Sequence, residues 1–173
     1  PPLTYRYFRY SDQLDTGNVL LKKSLFKECG LFDLQFGGMR MGDFEFGVRA
    51  YLNGFKSISN SKAKRIHLKS ATGGLRELGS WDAMRPTNFF SPRPVPSVLY
   101  LFRKYWNRKQ AIYSLIQTIP VSLTPYFLKG KIIGSLISIC IMIIFFPIII
   151  LQVGRSWRIA SKMLSKGAIT EKI

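Results

Sequence analysis

Residues 16–77 read TGNVLLKKSLFKECGLFDLQFGGMRMGDFEFGVRAYLNGFKSISNSKAKRIHLKSATGGLRE, and the local elements of this stretch end beside residues able to do chemistry. Gly17 to Lys22 reads as a short strand. Ser24 suits the N-cap of a short helix, Leu25 to Cys29, which Gly30 ends in a left-handed turn. The segment LFDLQFGG follows as a loop with apolar anchors at Leu31, Phe32, Leu34 and Phe36. Gly37, Gly38 and Gly42 keep the backbone permissive just ahead of Asp43. From Asp43 to Asn53 the apolar residues Phe44, Val48, Tyr51 and Leu52 recur at helical spacing, and Gly54 supplies the stop. Phe55 to Ser59 and Ala63 to Leu68 are two further short strands. A carboxylate that opens a helix and an imidazole, His67, that closes a strand form the layout with which a sheet-based enzyme presents two polar groups at one rim.

Asp43 is the candidate catalytic residue. At a helix N-terminus its carboxylate is kept ionised by the positive end of the dipole and by exposed amides. A fixed, ionised carboxylate beside a Gly-rich loop can act as general base toward a sugar or alcohol hydroxyl; the competing reading is a plain N-cap. Glu45 and Arg49 stand four apart and read as a surface ion pair worth a few tenths of a kcal/mol. His67, the single histidine, lies where strand ends meet ligands and is a candidate for a divalent ion or a phosphate. The loop SATGGLRE offers backbone amides and Arg76 to a phosphate. The chain contains no phosphate-loop, dinucleotide-fingerprint or zinc-finger spacing.

A net charge of +17 over 173 residues asks for an anionic partner: nucleic acid, anionic lipid or a phosphorylated substrate. Residues 69–96 are irregular, broken by Gly73, Gly74, Pro86, Pro92, Pro94 and Pro96. Beyond Pro96, Val98, Leu99, Leu101, Phe102 and Tyr105 form an apolar face, with Arg103, Lys104, Arg108 and Lys109 near its end, the pattern of a helix in a membrane interface. Residues 110–128 carry no charge over 19 positions, though Pro120 and Pro125 interrupt them, and Ile132 to Gly154 carries none over 23. The second run exceeds the ~20 residues that cross a hydrocarbon core as a helix, with Pro147 as a tolerable kink. Basic flanks before the first segment and after the second favour a two-segment hairpin with its Lys129–Lys131 turn outside. A single span at 132–154, with 110–128 along the surface, is the alternative. The two cysteines give no disulfide framework.

As a set, Thr16 to Arg76 resembles the C-terminal half of the catalytic domain in family 2 glycosyltransferases of the GT-A fold. The shared frame is Gly17-Asn18 on a strand, then a short helix ending in Gly30-Leu31-Phe32-Asp33. A Gly-rich loop leads to an acidic position, followed by Arg49, Gly54 and a strand ending in His67. The resemblance implies an α/β fold, a partial Rossmann-like GT-A domain, followed by an α-helical membrane-associated region. It also implies inverting sugar transfer, with Asp43 as the base and with His67 and Arg76 on the donor pyrophosphate or its divalent ion, Mg or Mn. The family's acidic pair is Glu-Asp; Gly42 stands where the Glu would be. The family's Asp-x-Asp motif is absent and the chain starts near the family's midpoint, so the expectation is a C-terminal piece that is inactive by itself.

The expected organisation is therefore a half-domain over 1–80, a linker and interface helix over 81–109, membrane segments within 110–154 and a basic tail over 155–173. The expected partners are a nucleotide-sugar donor, a sugar or lipid-linked acceptor and membrane lipid, without nucleic acid. The expected setting is the cytoplasmic face of a bacterial inner membrane, in polysaccharide, lipopolysaccharide or glycolipid synthesis. The rival reading is a non-catalytic basic adaptor, membrane-anchored and binding anionic lipid or nucleic acid.

Overall fold

Packing in this chain is organised around α3, Pro96–Tyr105, the most deeply enclosed helix of the computed structural model. The structure describes residues 9–11, 14, 18–64, 86, 88–124, 128 and 131–172. Around α3 stand α1 (Lys23–Cys29), α2 (Gly42–Leu52), α4 (Arg108–Leu123), α5 (Ile132–Ile144) and α6 (Phe146–Lys166). Two three-residue strands, β1 (Arg9–Ser11) and β2 (Ser57–Ser59), pair antiparallel.

This architecture corrects the expected α/β, Rossmann-like GT-A fold. Among the described residues there are six helices and one two-stranded ribbon, with no parallel sheet. Asn18 to Lys22, Ala63 and Lys64 are not in strands. The physical reason is visible at Leu20, whose side chain is 99% exposed: the apolar residues of a strand stabilise it only when a neighbouring strand and a covering layer accept them. The helical expectations fare differently. α2 begins one residue before Asp43, and Gly54 follows it at φ +85°. α1 ends at Gly30, at φ +75°, whose amide bonds back to the Phe26 carbonyl.

Proline starts α3, at the position where a missing N–H costs nothing. The helix is enclosed from Ser97 to Leu101, so the Val98–Leu99–Leu101 face that reads from sequence as an interfacial stripe is covered by protein. Phe36, Leu99, Tyr100, Leu101, Ala160 and Met163 make one apolar core, with α6 laid along α3. Polar bonds fix that contact: Ser156 Oγ donates to the Pro94 carbonyl at 2.6 Å, and Arg103 Nη1 donates to Ser161 Oγ at 2.8 Å while stacking on Trp157. Leu14, Leu25, Cys29, Phe46 and Ala50 form a second core between α1 and α2.

The uncharged run 132–154 is not one helix. It breaks at Phe145, where α5 ends and α6 leaves at 91° with Pro147 in its first turn. Proline is read here as a helix start rather than a kink within a span, because the first turn is where its lost N–H has no intrahelical partner. No single helix among the described residues is long and apolar enough to cross a membrane; the bent pair α5–α6 passes by length and composition only.

Candidate functional site

Asp43 sits in the first turn of α2. The turn before it is held by Met41, a non-glycine residue at φ +76°, the left-handed region that side chains disfavour. Met41 is fixed there by packing against the Phe36–Tyr100 core. Gly42 completes the approach: a Cβ at this position would stand 3.1 Å from the Phe36 Cβ. A side chain at position 42 would therefore have to press on Phe36.

The Asp43 carboxylate is half-buried and accepts the Phe44 amide at 2.9 Å. Its two acidic neighbours are spent on structure. Glu45 is fully enclosed and its carboxylate gathers four side-chain donors. Arg49 Nε and Nη2 donate at 3.1 Å each, Lys104 Nζ at 2.8 Å and Tyr105 Oη at 2.6 Å. Burial alone pushes the Glu45 carboxyl up, but these donors and the Arg49 charge outweigh it and hold it below the ordinary glutamate range. The expected surface ion pair is thus formed but buried, because α3 closes over it.

Asp33, the acid of the Gly-Leu-Phe-Asp frame, is the second such anchor. Tyr100 Oη donates to it at 2.7 Å, Lys104 Nζ at 3.2 Å, and the amides of Gln35 and Ile169 at 3.1 Å each. Burial raises its carboxyl and these bonds bring it below the usual range. Tyr100 and Tyr105 are correspondingly pushed far above the ordinary phenol range, by burial and then by donating to Asp33 and Glu45 respectively. Lys104 bridges both carboxylates, with both tyrosine rings 5.3 Å from its ammonium. Arg49 turns its remaining donors to the carbonyls of Cys29 and Leu31, tying α2 to the loop that carries Asp33.

Two acids are therefore locked into an ionic brace, and Asp43 is left bound only through a backbone amide among the described residues. His67 and Arg76 lie outside the described residues. Among the described residues no group of three or more His, Cys, Asp or Glu side chains is placed to hold a metal ion, so Asp43 and its surroundings do not by themselves fit a divalent cation. Sequence reasoning missed Asp33, Lys104, Tyr100 and Tyr105 as partners. The one available signal was the 100, 104 spacing, which puts a tyrosine and a lysine on one face of α3. Comparison with protein-family models, with curated proteins and with solved structures gives no match for this chain.

Proposed function

We propose that this chain is part of a membrane-associated glycosyltransferase in which Asp43 is the base. The observation that supports the reading is the division of labour among three acids in one neighbourhood. Glu45 and Asp33 are saturated by cations and hydroxyls, while Asp43 keeps a carboxylate on the positive end of α2 with no side-chain donor from the described residues. The positive end of the α2 dipole is a favourable place for a negative charge. An ionised carboxylate can take the proton of an acceptor hydroxyl as its oxygen attacks the anomeric carbon of a nucleotide sugar. The new glycosidic C–O bond forms, the C–O bond to the pyrophosphate breaks, and the nucleoside diphosphate leaves with that electron pair. Attack from the face opposite the leaving group inverts the configuration. His67 and Arg76 are the residues proposed for the donor side. The chain's +17 charge suits an anionic donor and an anionic membrane face.

The test is Asp43→Asn in the full-length protein, in membranes supplied with a panel of radiolabelled UDP-, GDP- and dTDP-sugars. Transfer to the lipid and polysaccharide fractions is expected to fall by at least a hundredfold, with retention of labelled donor unchanged. Wild-type membranes that transfer no sugar, or an Asp43→Asn protein that transfers normally, would leave the basic adaptor as the better reading.

A further inference from the structure

The apolar residues of α5 point the wrong way for a helix in water. Ile132, Ile133, Leu136, Ile139, Ile143 and Ile144 are all exposed, Ile132 at 83%, and at about 100° per residue they line one broad outward face of the helix. The residues that α5 turns toward the protein are small. Gly134 meets Thr124 and Leu128, and Ser138 is buried, sharing a 2.5 Å hydrogen bond with Thr124 Oγ1 while donating to the Gly134 carbonyl. Large residues outward with glycine and hydroxyls inward is the packing that helices adopt in lipid, where nothing drives isoleucine to the interior. A soluble protein would invert it.

The direction of α5 follows from what it touches. Gly134 and Ser138 lie against Thr124, at the C-terminal end of α4. Ile141 shares with Ser122, Leu123 and Thr124 a cavity of ≈ 200 Å³, and the Phe145 ring packs on Phe89 at 5.3 Å. α5 thus stays at that one end of α4, and α6 departs from it at 91° to run along α3. It is a crossbar. Its 13 residues make about 20 Å, short of the ~30 Å hydrocarbon core. Laid in the membrane plane, a helix about 10 Å across fits within one leaflet. That orientation also accounts for Lys131, exposed at the start of α5: its ammonium reaches the nearer headgroups by snorkelling, whereas upright insertion would carry it into or through the core.

The neighbouring surface has the complementary chemistry. Phe90, Phe146, Ile150 and Leu151 are exposed where α6 begins, and the exposed Arg155, Arg158, Lys162 and Lys166 follow along the same helix. Arg155 donates to the Phe90 carbonyl at 3.4 Å, which sets a cation directly beside the apolar group. A row of cations bordering an apolar bar matches anionic headgroups above acyl chains.

We propose that α5 and the start of α6 embed in a single leaflet of an anionic bilayer, without crossing it, so that both flanks of α5 remain on one face. The inference rests on the packing of α5 and goes beyond the catalytic reading; neither readout below involves Asp43. Cysteine variants of the full chain, in a Cys140→Ser background, are expressed in cells and probed with a membrane-impermeant maleimide in sealed right-side-out and inside-out vesicles. Lys131→Cys and Lys172→Cys are expected to label from the same face, at rates within a few fold of each other. Ile143→Cys is expected to be protected from both faces until detergent is added. Labelling of positions 131 and 172 from opposite faces means a transmembrane hairpin and overturns the proposal. So does an Ile143→Cys that labels freely before detergent. In flotation with vesicles, the purified wild-type chain is expected to bind at least tenfold more to mixed phosphatidylglycerol–phosphatidylcholine than to phosphatidylcholine alone. Leu136→Glu with Ile143→Glu, both at exposed positions of α5, is expected to lose that binding; binding that survives the pair contradicts insertion.

Discussion

Among the described residues, Glu45 is one of two buried carboxylates that brace this structure. Its carboxylate receives α2's own Arg49 and two residues of α3, Lys104 and Tyr105, in a space that excludes water. Removing one member of a buried, hydrogen-bonded charge pair leaves its partner uncompensated, at about 3–5 kcal/mol. Glu45→Ala is therefore expected to destabilise the chain by about that amount, read as a lowered urea midpoint in one fixed detergent. Glu45→Gln should cost less, since it keeps the shape and one acceptor. The same residue sets an acid limit. Glu45 and Asp33 both have folded-state pKa values below their unfolded ones. The unfolded chain therefore binds more protons in the acid range. Their contribution is complete above the unfolded values, near 4.5 and 3.8, and is lost as pH falls below them. Midpoints measured from pH 6 to pH 3 should fall for the wild type and fall less for Glu45→Gln. The Glu45–Arg49 pair was legible from its four-residue spacing. Its burial was not, because Lys104 and Tyr105 arrive from 59 and 60 positions away, and no local pattern announces a lid that distant.

At the scale of elements, the contrast between α2 and α5 shows what a sequence can specify. α2 has a glycine approach, an acid in its first turn, apolar residues at helical spacing and a glycine stop, and all of these lie within or next to its eleven residues. Among the described residues of the strand readings, Asn18 to Lys22, Ala63 and Lys64 pair with no neighbouring strand, which is the one thing a strand needs. The run 132–154 carried enough apolar residues for a span, yet its division at Phe145 depends on how α6 docks along α3, a contact made across some 60 residues of sequence. Within α5 the small residues decide the packing. A Cβ at Gly134 would collide with the Leu128 carbonyl and come within 2.9 Å of Thr124 Cγ2. Backbone cannot yield as a flexible side chain does, so Gly134→Ala should cost about 1–3 kcal/mol through forced displacement. The Thr124–Ser138 contact reports it directly. A Thr124→Cys, Ser138→Cys pair is expected to form a disulfide under mild oxidation in the parent chain and to form it at least several-fold more slowly once Gly134→Ala is added. Unchanged cross-linking would show that α5 does not seat on Gly134.

The whole molecule is closed by its last residues returning to its first acidic anchor. After α6, the segment from Gly167 runs back over the loop that follows α1. The Leu31 amide donates to the Glu171 carbonyl at 2.8 Å and the Leu34 amide to the Ile169 carbonyl at 2.9 Å, while the Ile169 amide donates to Asp33 at 3.1 Å. Gln35 adds bonds to the carbonyls of Met163 at 2.9 Å and Gly167 at 2.5 Å. Asp33 is joined through Lys104 to Glu45, two residues along α2 from Asp43. The segment that leaves α6 thus bears on the frame around the candidate base. Truncation after Lys166 removes the two backbone–backbone bonds from Leu31 and Leu34 and the Gln35 bond to the Gly167 carbonyl, at roughly 0.5–1.5 kcal/mol each, and withdraws one donor from a buried carboxylate. A loss of about 2–4 kcal/mol is expected, seen as a lower urea midpoint with the denaturant slope retained. Because the strap and Asp33 act as one unit, truncation and Asp33→Asn should not add: the double variant is expected to be less destabilised than the sum of the two, by about 0.5–3 kcal/mol. Strict additivity would mean that the C-terminal segment rests on the surface without engaging the brace, and that the link from α6 to the neighbourhood of Asp43 does not run through Asp33.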